Sequence, residues 1–231
     1  MLIKNKMKNY TLLFIILINT SLFSQTTKTT SLGDFYKIKI FNGIKLELIK
    51  DQENKLEILE DKTNKVRFKN SNGVLKISLK FPDNLSVNEV KVKLYYKQDI
   101  QVIDGNEGSI ITGNNINQTH LEVKAQEGAT IQLDINTKHL KVKSITGGII
   151  KLTGKTKNQE LEVDLYGVYH GYGLETTDNT TVKSGIGSKA ELKTGETLNA
   201  KVSFGGSILY KGTPEVKQTK KVAGGIIKQM N

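Results

Sequence analysis

The 231-residue chain has no cysteine, no tryptophan, two prolines, three histidines and a single arginine, Arg67. Each shortage excludes something. Without cysteine there are no disulfides, no thiolate metal ligands and no cysteine nucleophile, so the protein must hold itself together by core burial and backbone ladders. With one arginine among 34 basic residues, the positive charge is almost entirely lysine. Readers of nucleic acid favour the bidentate arginine fork, so lysine alone points to a solvated surface or to loose attraction toward anionic glycans and headgroups. Of the three histidines, His120, His139 and His170, only the first two lie one coil apart, and two imidazoles fall short of the three or four ligands of a closed metal site. No amphipathic helical pattern of three or more turns occurs beyond Gln25.

The N-terminus has the pattern of an export signal. Lys4, Lys6 and Lys8 precede the apolar run Thr11 to Ile18, and Ser24 offers a small residue before Gln25. The run is shorter than the roughly 20 residues that span a bilayer, so the pattern predicts a cleaved leader at 1–24. The formal charge is +11; removing the three leader lysines leaves 11 − 3 = +8. The expected location is the periplasm, the cell envelope or the extracellular space, with no membrane-spanning segment after cleavage. Residues 25–33, polar and threonine-rich, read as a linker.

From 34 to 97 the chain alternates apolar and polar residues in short runs. These are Tyr36 to Ile40, Ile44 to Leu48, Lys55 to Ile58, Lys65 to Phe68, Val74 to Leu79 and Val90 to Leu94. Period two predicts half-buried strands. Asn42-Gly43 and Asn72-Gly73 are turn dipeptides, and Phe81-Pro82-Asp83-Asn84 interrupts the pattern.

Residues 98–231 repeat. Val102, Val123, Val142, Val163, Val182, Val202 and Val222 recur at steps of 21, 19, 21, 19, 20 and 20, each in a short alternating run, with glycine at the bend that follows most of them. A near-constant period of this size predicts a solenoid. Val123, Val142, Val163, Val182 and Val202 are expected to form one core column, and the residues before them (Glu122, Lys141, Glu162, Thr181, Lys201) an outer column of partly alternating charge. A second apolar column follows the glycines: Ile131 and Leu133, Ile150 and Leu152, Ala190 and Leu192, Ile208 and Tyr210, Ile226 and Ile227. A phosphate-cradling reading of the glycines fails for want of a following helix.

Two stretches carry a family resemblance. One is Phe41-Asn42-Gly43-Ile44-Lys45-Leu46-Glu47-Leu48. The other runs from Leu198 to Pro214 and contains Ser203-Phe204-Gly205-Gly206 and Tyr210-Lys211-Gly212-Thr213-Pro214; Val222 to Ile227 then repeats its glycine motif. They are similar to the putative auto-transporter adhesin head GIN domain, common in exported proteins of Bacteroidetes. The resemblance implies an all-β, right-handed parallel β-helix with an N-terminal strand section and an adhesin-like role. It implies no catalytic residues. The family's Ser-Gly-x-Gly corner survives here only at Ser184-Gly185-Ile186-Gly187, and residues 164–173 depart furthest.

Those residues hold the candidate ligand contacts. Tyr166, Tyr169 and Tyr172, spaced by glycines, are expected either to stack on a glycan or cell-surface component or simply to pack on a neighbouring coil. Lys143 and Lys183 would favour an anionic ligand. His120 and His139, one coil apart, should stack on adjacent rungs. Asp104, Asp134, Asp164 and Asp178 do not recur in one column, which argues against the paired carboxylates of a glycosidase or the base of a lyase. The sequence therefore favours a non-catalytic envelope binding module without a cofactor. The alternatives are a structural envelope protein with no ligand and, less favoured, a carbohydrate-active enzyme.

Overall fold

The computed structural model describes residues 28–59, 64–82 and 89–231; the leader assigned to 1–24 lies outside them. It is all-β, a parallel solenoid of about seven turns. At about 4.8 Å per turn the stack is about 30 Å long. Seventeen described strands form one hydrogen-bonded sheet. The main ones are β2 (Lys37–Ile40), β3 (Lys45–Lys50), β6 (Val74–Leu79), β7 (Lys91–Tyr96), β8 (Val102–Gly105), β9 (Ile110–Ala125), β10 (Thr130–Ser144), β11 (Ile149–Val163), β12 (Val168–Ser184), β13 (Lys189–Lys193), β14 (Thr197–Ser203), β15 (Ser207–Lys211), β16 (Val216–Val222) and β17 (Ile226–Gln229). The alternating runs of 34–97 do become strands, but they belong to the same stack as the repeats. Strand β2 pairs with β6 on one side and β8 on the other, and β3 pairs with β7 and β9, all parallel. Strands β2 and β3 therefore lie inside the stack; the chain then builds the N-terminal end outward and returns past them to continue as the repeats.

That end closes with antiparallel strands. Strand β5 (Val66–Ser71) pairs with β6, and β1 (Lys28–Ser31) pairs with β4 (Lys55–Ile58), which pairs with β7. The stretch read as a linker thus contributes a strand.

The valine column needs correcting. Positions in register are Val123, Val142, Leu161, Val182, Ala200 and Thr219, at sequence steps of 19, 19, 21, 18 and 19. Val163 and Val202 occupy the neighbouring inward column with Ala125, Ser144 and Ser184. Because side chains alternate with period two, a slip of two positions keeps them in the core, and all five valines are fully buried. Val102 and Val222 pair instead with the outward Glu122 and Ser203. The charge column shifts likewise. Glu122 stacks on Lys141 and Glu160, and the next outward column holds Lys124, Lys143, Glu162, Lys183, Lys201 and Lys220. In the second apolar column Ile227 aligns with Ile208, whereas Ile226 pairs with Ser207 and is exposed.

The corners explain the glycines. The two central residues of most turns have positive φ, at Glu107-Gly108, Glu127-Gly128, Thr146-Gly147, Leu165-Tyr166, Phe204-Gly205 and Ala223-Gly224, whereas in the Gly185–Ser188 turn only Gly187 does. A turn-closing bond links the residues on either side, for example Ala129 N–H to Gln126 C=O at 3.0 Å and Gly167 N–H to Asp164 C=O at 2.9 Å. This is the pattern of a type I′ turn. Turns also bond to the next rung: the Gly128 N–H donates to Thr146 C=O at 3.2 Å, Gly147 to Leu165 at 3.0 Å and Tyr166 to Ile186 at 2.9 Å. Ile44 closes the Asn42-Gly43 turn, but from the Asn106–Ser109 turn onward the closing residue is small. A Cβ on Gly148 would stand 2.1 Å from the Ala125 carbonyl oxygen, and in the other turns this place is taken by residues such as Ser109, Ala129 and Ser188.

The longest rung carries its extra residues as two β-bulges where β12 pairs with β11, beside Gly171-Tyr172 and Thr177-Asp178; its corner has the ordinary length. In this rung Tyr169 points into the core, fully buried in the column of Ile131, Ile150 and Ala190. Gly171 makes room for it, since a Cβ there would lie 2.4 Å from the ring. The Tyr169 hydroxyl donates to Gln159 Oε1 at 3.3 Å. The Gln159 amide in turn donates to Thr176 Oγ1 (2.7 Å), Thr180 Oγ1 (3.2 Å) and the Lys193 carbonyl (2.9 Å). This buried polar knot lies where the longest rung meets the shorter one above it.

Substitutions test this architecture by thermal or denaturant unfolding. Val163→Asp is expected to cost several kcal/mol, because it puts an unpaired carboxylate among buried residues. Gly148→Ala is expected to cost about 2–3 kcal/mol through overpacking, against about 1 kcal/mol for Gly128→Ala, which has open space and suffers only from its backbone angle. Tyr169→Phe is expected to cost about 1–2 kcal/mol by orphaning the Gln159 acceptor. An unchanged midpoint in Val163→Asp, or equal losses in the two glycine variants, would contradict the register.

Candidate binding face

Outward side chains in a parallel stack repeat with the rungs, so any chemistry on the surface arrives as a column. The columns that matter lie on the face formed by the C-terminal halves of β9 to β12. His120, His139, Asn158 and Asn179 are in register there. The two imidazoles stack as the spacing predicts, with centroids 4.8 Å apart and planes 19° from parallel. The Asn179 amide donates to Asn158 Oδ1 at 2.7 Å. Two positions along each strand runs the parallel column Glu122, Lys141, Glu160 and Thr181. Together they line an open groove of about 660 Å³, with Gln101 and Val102 at its N-terminal end. Charges beside the groove compensate one another: Lys124 pairs with Glu122 on its own strand (3.1 Å) and Lys143 with Glu162 across rungs (3.1 Å). Among the described residues no group of three or more His, Asp or Glu side chains has a metal-binding arrangement.

The three tyrosines go to three different environments and form no common platform. Tyr169 is a core residue, so it takes the packing alternative, and burial raises its hydroxyl pKa. Tyr166 is at the tip of a corner and 69% exposed. Tyr172, on a bulge, is half-buried. Lys211 Nζ stands 5.3 Å from its ring centroid, and its hydroxyl is covered yet lacks a hydrogen-bond partner among the described residues. Burial and the nearby Glu191 raise the Tyr172 pKa. Glu191 receives His170 Nδ1 at 2.6 Å and Lys189 Nζ at 2.5 Å. Burial works to raise its carboxyl pKa, but these bonds outweigh it and hold it below the usual range.

The scattered aspartates have structural tasks. Asp104 is buried, paired with Lys39 (3.4 Å), and accepts from the Asn106 and Gln126 amides at 3.0 and 3.1 Å. Asp164 Oδ1 accepts the backbone N–H groups of Leu165 and Ile186, both at 2.8 Å, and so ties two successive corners together. The groove had a sequence signal: His120, His139 and Asn158 fall in a single series of equal steps. Asn179 breaks that series, because the bulges lengthen its rung.

Residues 34–214 match the family described as putative auto-transporter adhesin, head GIN domain. A putative adhesin from Bacteroides fragilis NCTC 9343 superposes with a TM-score of 0.77 at 18% identity, covering 89% of this chain and 97% of that one. A putative lipid binding protein from Parabacteroides distasonis ATCC 8503 gives 0.62 at 14% identity, covering 88% and 97%. A putative adhesin from Parabacteroides merdae ATCC 43184 gives 0.59 at 18% identity, covering 88% and 96%. At these identities the likeness is one of fold. No match is found among curated proteins. The family match covers the groove and every described strand but β1, β16 and β17, and the chain belongs to the putative auto-transporter adhesin, head GIN domain family.

Proposed function

We propose that this protein is an exported, non-catalytic, adhesin-like module of the cell envelope that holds an extended glycan along its His–Asn face. The observation that carries the reading is the column His120, His139, Asn158 and Asn179 beside a groove of about 660 Å³. Amide and imidazole groups repeated about every 4.8 Å offer donors and acceptors at intervals suited to successive sugar hydroxyls of a chain lying along the axis. The acid–base pairing next to the groove leaves little net field there, which suits a neutral or weakly charged polymer better than a highly anionic one. The family match supports an adhesin-like role and an exported location. Of the two carboxylates that line the groove, Glu122 is paired with Lys124, so Glu160 is not one of a free carboxylate pair, which suits binding better than bond cleavage.

Glycan-array binding with the purified protein tests this. The wild type is expected to retain a defined set of extended glycans, and the double variant His139→Ala, Asn158→Ala to bind them at least tenfold more weakly at an unchanged melting temperature. An array without signal, or a double variant that binds as well as the parent, overturns the reading. Release of shorter products from the bound glycan would show that the face is catalytic.

A further inference from the structure

The corner edge of the solenoid changes character halfway along. In the stack of turns, the first positive-φ residue is polar in the early rungs: Asn42, Glu107, Glu127 and Thr146. The corresponding position in the later rungs is Leu165, Ile186, Phe204 and Ala223. Nine large hydrophobic side chains are exposed among the described residues. Four of them lie at the tips of three consecutive corners: Leu165 (43%), Tyr166 (69%), Ile186 (41%) and Phe204 (61%). Ile149 and Ile226 add to the same edge, each immediately after a corner. The Tyr166 ring leans over the next turn, where a Cβ on Gly187 would stand 2.6 Å from its Cε1. The result is a convex apolar ridge rather than a pocket.

Two features of this edge work against stability. Tyr166 has φ of 64° at the turn position that is glycine in the rungs on either side, Gly147 and Gly187. A bulky aromatic in the left-handed region is strained, and such strain persists where function requires it. Beside the ridge, Lys183, Lys201 and Lys220 stack in register. Like charges directly opposite one another repel. Lys143, one rung before Glu162, has its carboxylate, whereas these three have no ion-pair partner among the described residues. Two of the acids nearest them are already engaged, Glu162 with Lys143 and Asp164 with two corner N–H groups, and Glu160 forms no ion pair with them.

An anionic bilayer would offset the repulsion in the lysine column and give the exposed tips apolar surroundings. We propose that this corner edge docks on an anionic membrane surface. Leu165, Tyr166, Ile186 and Phe204 enter the interface between headgroups and acyl chains, and Lys183 and Lys201 lie against the phosphates. A ridge of exposed turn tips can enter the bilayer interface without a matching pocket. Tyrosine and phenylalanine suit the interfacial region, and a lysine row beside an apolar stripe is the pattern of peripheral attachment.

Sedimentation with vesicles of phosphatidylcholine, with or without phosphatidylglycerol, tests the proposal. The wild type is expected to bind the phosphatidylglycerol vesicles and to lose binding as salt rises. Lys183→Glu and Lys201→Glu should each weaken partitioning by about fivefold or more. Phe204→Ser combined with Tyr166→Gly should weaken it by at least about tenfold. Tyr166→Gly alone should melt at the same temperature as the parent or higher, which separates lost docking from lost folding. The groove variant His139→Ala, Asn158→Ala should bind vesicles normally, so this proposal and the glycan reading fail independently. Absence of wild-type binding, or binding indifferent to the ridge variants, overturns it. So does lipid-free self-association, measured by analytical ultracentrifugation, that the ridge variants abolish, because the ridge would then be a contact between copies of the chain.

Discussion

Everything in this protein depends on one constraint: each rung must satisfy its backbone hydrogen bonds on the rungs above and below it. Parallel stacking fixes the spacing at about 4.8 Å and brings equivalent residues into contact. The turn therefore has to close the same way in rung after rung. In most rungs its central pair adopts positive φ, and through the repeats its last residue is small, as Gly148 is against the Ala125 carbonyl of the preceding rung. Rungs of different length are accommodated away from the corner, by bulges in β12 and by the shortened course through β13 and β14.

The same constraint dictates how surface chemistry can arise. A side chain on one rung is a neighbour of its counterpart on the next, so neutral polar groups form ladders, acids and bases pair, and like charges accumulate repulsion. The His120–Asn179 column and the Lys143–Glu162 pair are the favourable cases. The stacked Lys183, Lys201 and Lys220 and the strained Tyr166 are the unfavourable ones, and they meet on the edge that also exposes Phe204 and Ile186. The His–Asn face and the apolar corner edge are thus separate surfaces built from the same repeat.

A solenoid with open ends would stack on copies of itself. At the N-terminal end the parallel series stops at the antiparallel strands β1, β4 and β5. At the other end, β16 places Lys217, Thr219 and Lys221 in the columns that hold Leu198, Ala200 and Val202 one rung earlier. Lysine in two of the core columns leaves little apolar surface on β16 for another rung to cover.

The sequence alone determined the class of fold. Alternation with period two placed nearly every strand, the regular recurrence of valine predicted stacked rungs, and the glycines marked the corners. It also placed His120 on His139, because a single coil separates them and nothing interrupts it. Register across several rungs was decided only by the tertiary structure. Side chains two positions apart on a strand point the same way, so Val163 and Leu161 are indistinguishable as partners for Val142 until the neighbouring strand selects one. The fates of Tyr166, Tyr169 and Tyr172 were hidden for the same reason. One bulge in β12 and the space left by Gly171 turn one ring into the core, hold the second half-covered and leave the third on the corner. Burial of that kind is a property of the neighbouring rungs and is not encoded in the residue's own segment.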